Sequence, residues 1–116
     1  MLVIEDRAIF LTRGDTAFIK ATPIDGDEDY TFQDGDKVIF RLRRKAGQGE
    51  IACEKECVID FTENQAVLTL VPEDTDNCEF KEYRYEFELV TADDEHFTFV
   101  ADEPFTIGKE LENHAQ

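Results

Sequence analysis

Along most of this chain, apolar and polar residues alternate with a period of two. In Lys37–Arg43, the residues Val38, Phe40 and Leu42 share one face, opposite Lys37, Arg41 and Arg43. In Tyr83–Leu89, the residues Tyr83, Tyr85, Phe87 and Leu89 alternate with Arg84, Glu86 and Glu88. Leu68 and Leu70 alternate with Val67, Thr69 and Val71, so that run is apolar or β-branched on both faces. Side chains on a strand point alternately to its two faces, and these runs therefore predict half-buried strands. Helical periodicity is nearly absent. Turn chemistry falls between the runs, at 25–29, 34–36, 46–49, 62–65 and 92–95, where Gly, Asp and Asn cluster. The pattern predicts strands near 2–5, 8–12, 15–22, 37–44, 50–59, 66–71, 81–91, 96–101 and 104–108. One helical turn is predicted at Pro72–Asp76, where a proline and early acidic residues suit a helix start.

Short strands at regular spacing define an all-β chain closed as a two-sheet sandwich or a small barrel. The segment Leu70-Val71-Pro72-Glu73-Asp74-Thr75, followed by Tyr83-Arg84-Tyr85, favours the sandwich. Immunoglobulin-like domains carry a turn between strands E and F, and a tyrosine early in F bonds back to that corner. The gap before Tyr83 is longer than in antibodies, Phe87 rather than cysteine follows the tyrosine pair, and there is no Trp. The expected fold is thus an antiparallel immunoglobulin-like β-sandwich outside the antibody family, with about 8–9 short strands. It occupies residues 1–111 as a single domain, with a frayed tail at 112–116. Its expected core is Val38, Phe40, Leu42, Leu68, Leu70, Tyr83, Tyr85, Phe87, Leu89, Phe97, Phe99, Phe105 and Ile107.

Composition narrows the function. The 116 residues carry 12 basic and 28 acidic side chains, 12 − 28 = −16. A surface of that sign disfavours nucleic-acid backbones and anionic lipid, so neither nucleic acid nor membrane is expected as a partner. Ten Phe and three Tyr separate the chain from acidic disordered tails, which lack aromatics. Charge interrupts the first apolar residues at Glu5, too early for a signal-peptide core, and no apolar run has the length of a membrane span.

Candidate chemistry is sparse. Cys53, Cys57 and Cys78 are odd in number, and Cys53-x-x-x-Cys57 lacks a second pair to complete a zinc tetrad; all three read as ordinary thiols. Asp25, Asp27 and Asp29, with Asp36 at the twelfth position, resemble a calcium loop. The sixth position is Tyr30 rather than Gly, however, and a solvated acidic hairpin is expected. Arg13-Gly14-Asp15 matches an adhesion tripeptide and reads as a Gly-hinged bend with solvated Arg and Asp. Arg41, Arg43, Arg44 and Lys45 form a basic run, for which cross-strand pairing with Glu86 and Glu88 is expected. His96 and His114 are the only histidines, and there is neither a nucleophile elbow nor a phosphate-binding glycine loop. No catalytic, cofactor-binding or metal-binding residue is assigned, and the chain is expected not to be an enzyme.

Four segments together resemble a known family. They are Phe10–Phe18 with its Thr-Arg-Gly-Asp-Thr start, Asp34–Arg43 with Gly-Asp-x-Val-x-Phe, the Pro72-Glu73-Asp74-Thr75 turn, and Tyr83–Leu89. In this order they resemble the N-terminal domain of phage baseplate upper proteins and related prophage proteins, over about residues 10–107. The resemblance implies a small β-sandwich used as a virion part, attaching host-recognition modules to the tail baseplate, and carries over no catalytic residue. Two features depart from the family. The chain is expected to lack the long C-terminal, receptor-binder-anchoring region of a full baseplate protein, and Cys53 and Cys57 fall outside the pattern. The expected role is a phage or prophage structural or interaction protein, tail- or baseplate-associated or another virion accessory. It would dock on a neighbouring subunit and sit in the virion or host cytoplasm, without a signal peptide. Homo-oligomers through the sandwich edges fit the same reading. The alternatives are a ligand-binding sandwich for carbohydrate or calcium, and an acidic accessory factor that binds a host protein.

Overall fold

The strongest alternating run forms the centre of the larger sheet. Strand β10 (Lys81–Val90) lies between β6 (Lys37–Arg43) and β11 (His96–Gly108), antiparallel to both. The computed structural model describes residues 1–45 and 49–109. The predicted tail at 112–116 and most of the turn at 46–49 lie outside the described residues. Around β10 the sheet extends to six strands in the order β1 (Leu2–Glu5), β2 (Ala8–Thr12), β11, β10, β6, β7 (Ile51–Glu56). A second sheet has three strands, ordered β3 (Ala17–Ala21), β9 (Gln65–Leu70), β8 (Val58–Asp60). A two-strand ribbon, β4 (Ile24–Asp25) with β5 (Glu28–Asp29), follows β3, and a single turn of helix, α1 (Pro72–Thr75), follows β9.

This is an all-β sandwich with immunoglobulin-like strand order. Strands β11, β10, β6 and β7 occupy the places of G, F, C and C′, while β3, β9 and β8 occupy those of B, E and D. The sheets are not wholly antiparallel: β2 runs parallel to β11, with Ile9 opposite Phe105 and Leu11 opposite Ile107. The described residues form eleven strands rather than 8–9. Three differences from the nine predicted runs account for this. The predicted strand at 50–59 is two strands, because the chain leaves the larger sheet at the buried Cys57 and joins the smaller one. The predicted strands at 96–101 and 104–108 are one strand, irregular in register near Ala101–Asp102. The β4–β5 ribbon falls in a segment read as an acidic turn.

The E–F corner is built as its chemistry predicts. Pro72 opens α1, and the Asp74 carboxylate accepts a hydrogen bond from the Val71 N–H at 2.8 Å. The hydroxyl of Tyr83 accepts from the Glu79 N–H at 2.8 Å and reaches the Glu79 carbonyl at 3.3 Å. A buried phenol thereby satisfies its polar tip on the corner it supports. With Tyr83 as the corner tyrosine, the place of the second cysteine of the antibody inter-sheet disulfide falls two residues on at Tyr85, not at Phe87 as the tyrosine pair suggested. Its ring packs 6.1 Å from Phe40 and edge-on to Phe87 and Phe105 at 5.9 Å each. Aromatic contact between core rings occupies the place of the disulfide and its tryptophan. The core holds eleven of the thirteen expected residues, together with Ile9, Leu11, Ile19 and Phe32. Phe99 is half-buried, and Phe97 is 52% exposed. Both lie on the inward face of β11, at a place where the smaller sheet does not cover the larger.

Candidate functional site

That uncovered place is a cleft of about 750 Å³. Its floor is the buried core surface of Ile9, Ile19, Tyr85, Phe87 and Leu89. One wall is the continuous stretch Ile19–Asp25, and the other is the continuous stretch Phe97–Val100. Residues that are consecutive on a strand belong to opposite faces, so both walls include the backbone edges of the strands as well as their inward side chains. Among the described residues, the β3 part of the first wall and the Phe97–Val100 part of β11 have no strand on these edges, while Ile24 and Asp25 pair with β5. Strand β3 pairs only with β9, and β2 pairs with β11 only over Phe105–Gly108. The exposed apolar side chains Ile4, Ile24 and Phe97 stand around the opening.

The cleft arises from an imbalance between the sheets. Antibody-type sandwiches place strand A beside B in the smaller sheet. Here residues 2–12 form a hairpin on the edge of the larger sheet instead, and among the described residues no strand lies on that side of β3. The hairpin turns at Asp6 and Arg7, both with positive φ (47° and 73°), as a two-residue hairpin loop of this type requires. Neither residue is glycine, so the turn is strained. It is held by the Tyr85 hydroxyl, which donates to the Arg7 carbonyl at 2.6 Å. Burial and the neighbouring Glu103 push the Tyr85 phenol up to about 12, so it remains a donor throughout the ordinary pH range. At the other end, the Tyr30 hydroxyl donates to the Asp36 carboxylate at 2.8 Å, and burial with that bond raises its phenol to about 12. Asn64, itself at φ 57°, pins this end by accepting from the Phe32 N–H and donating to the Tyr30 carbonyl.

The residues singled out in the sequence lie elsewhere or have other partners. Asp25, Asp27 and Asp29 fall in the β4–β5 ribbon, while one oxygen of Asp36 is bonded to Tyr30 and to the Gln33 N–H. Among the described residues, no three side chains of metal-binding type are grouped to hold an ion. In the Arg13-Gly14-Asp15 bend, Gly14 supplies a φ of +85° and donates its N–H to the buried Thr75 hydroxyl at 2.8 Å. Arg13 and Asp15 are not merely solvated, as expected. Arg13 donates to the Cys78 carbonyl and lies 4.0 Å over the Phe80 ring, and Asp15 pairs with the Met1 amine.

The basic run forms a charged ladder on the outer face of the larger sheet. Arg41 contacts Glu86 at 3.0 Å, Glu88 at 2.9 Å and Glu54 at 2.6 Å, and Arg43 contacts Glu86 at 3.1 Å. Partial burial raises the carboxyls of Glu86 and Glu88, but the guanidinium groups outweigh it and hold both below the usual carboxylate range. Arg44 pairs with Glu50. His96 extends the ladder, its ring nitrogens 3.0 Å from Glu88 and 3.1 Å from Asp94, which raise its pKa. His114 lies outside the described residues. Burial raises Cys53 to about 11 and Cys57 to about 12, far from the thiolate that nucleophilic chemistry requires.

The cleft is the feature that sequence reasoning missed. No pattern in the sequence marks it, and Phe97, at its wall, reads there as core. An all-β sandwich with immunoglobulin-like order and an open strand place is the class that fold and site define. Comparison with family models, curated proteins and solved structures finds no match.

Proposed function

We propose that the chain is a non-enzymatic structural or interaction module of a phage or prophage particle, docking on a neighbouring subunit through the open side of its sandwich. The observation that carries docking is the cleft itself: an apolar floor, two unpaired backbone edges and exposed Ile4, Ile24 and Phe97 at one opening. Such a site binds by burying apolar area and completing a hydrogen-bond ladder, and neither process needs a catalytic group. The particle context rests on the four ordered segments that resemble baseplate upper proteins.

The volume of the cleft also falls within the range of small-ligand sites, which favours a carbohydrate-binding module as the second reading. Mass spectrometry of particles purified from the encoding strain after induction tests the first. Stoichiometric presence of the chain is expected. Its absence from particles, with the protein abundant in the lysate, would overturn the virion assignment in favour of an accessory factor.

A further inference from the structure

We propose that the strand place beside β3 receives an extended segment of a partner protein, apolar at alternate positions and flanked by lysine or arginine. This rests on the reading of the chain as a docking module and names the partner's chemistry. Three observations carry it. First, the smaller sheet is B, E and D without A, and the residues that would supply a fourth strand pair instead with the opposite sheet. Second, the wall includes consecutive residues Ile19–Ala21 of β3, whose outer edge no described strand pairs, so its backbone groups are available for ladder bonds. A segment added there points every second side chain at the floor of Ile9, Tyr85 and Phe87 and the others to solvent, as β3 itself does with Ile19 inward and Phe18 outward. Third, the turns that frame the opening, Glu5–Arg7, Asp25–Asp29 and Asp93–Glu95, hold nine carboxylates, against Arg7 and the adjacent Lys20. Each of these turns contributes a residue to the cleft: Arg7, Asp25 and Glu95. A basic flank complements that field, and an acidic one is repelled by it.

The apolar floor without a strand would expose only one kind of surface; the edge adds direction and register. Specificity then lies in the alternation of the incoming segment, since a one-residue slip turns its apolar set to solvent.

The test uses a peptide array in which isoleucine, valine or leucine alternates with threonine or serine between paired lysines. Control peptides have the same composition with the apolar residues contiguous, and a third set has glutamates as flanks. Binding of alternating, lysine-flanked peptides above both controls is expected, with slowed amide exchange on binding confined to Ala17–Ala21. Ile24→Asp and Phe97→Asp, both at exposed positions, are expected to fold as the parent does. They should weaken binding by roughly tenfold or more, because the segment would bury an unpaired charge. Equal binding of the contiguous controls, protection at β8 or at Phe97–Val100 instead of β3, or no binding in any set would each overturn the proposal. Presence of the chain in particles despite such a failure would leave the module reading standing, with another face as its contact. Peptide binding by a chain absent from particles would do the reverse.

Discussion

Phe87 links the buried aromatic core of the larger sheet to the wall of the cleft. Its ring lies 5.4 Å from Phe40 inside the core and 5.9 Å, stacked, from Phe99 at the cleft wall. Replacing Phe87 with Ala should lower stability by about 3–5 kcal/mol, read as a shift in urea midpoint; an unchanged midpoint would contradict its burial. The opposite sign is expected at Arg7. Its φ of 73° suits glycine, so Arg7→Gly should raise stability by about 1 kcal/mol, provided the Tyr85 bond to the residue 7 carbonyl persists. Thr12 offers a third check at this scale. Its hydroxyl is buried without a hydrogen-bond partner, so Thr12→Val should be neutral or stabilising by up to about 1 kcal/mol in the same measurement.

Among the elements, the central strands were the most legible in the sequence. In β6, β9 and β10 every second residue is buried, and alternation alone locates them within a residue or so. The pairing of Arg41 and Arg43 with Glu86 was readable for the same reason: charges opposite one another on adjacent strands share a face. The switch at Cys57 was not readable. Glu54-Lys55-Glu56 are all charged and Cys57-Val58-Ile59 all apolar, so the sequence shows no alternation there, although burial alternates with Lys55, Cys57 and Ile59 on the covered side. The long β11 was misread for the converse reason. Asp102, at φ 57°, and Pro104 look like a turn, yet the strand absorbs them as an irregularity in register.

The charged ladder belongs to this scale too. Glu86 and Glu88 titrate below their ordinary value in the folded chain, so they add stability above the unfolded carboxyl value of about 4.3. That stability is lost as pH falls through their lower folded values. Arg41→Met removes the shared partner and should lower stability by about 1–2 kcal/mol near neutral pH. The difference from the parent should shrink on acidification below pH ~4, as the carboxyls protonate. A difference that grows with acid would contradict the ladder. For His96 the sign reverses: its raised pKa adds stability below its ordinary value of about 6.5, and that contribution fades as pH rises through the folded value.

Over the whole molecule, the sandwich could be inferred from strand number and the E–F corner, but the cleft could not. Its existence depends on which sheet Leu2–Glu5 joins, and those residues alternate no differently in either place. Only the three-dimensional pairing reveals that six strands face three and that Phe97 is left uncovered. Charge adds a second asymmetry. The outer face of the larger sheet neutralises its own arginines, whereas the turns around the cleft carry a surplus of carboxylates. The open side thus combines exposed apolar side chains with a surplus of carboxylates.

Photo-cross-linking in purified particles tests this account most directly, with a photoreactive residue placed at position 97 in the cleft wall or at position 84 on the outer face of the larger sheet. An adduct between position 97 and one particle protein is expected, with none from position 84. An adduct from position 84 alone, or from neither position in particles that contain the chain, would contradict it.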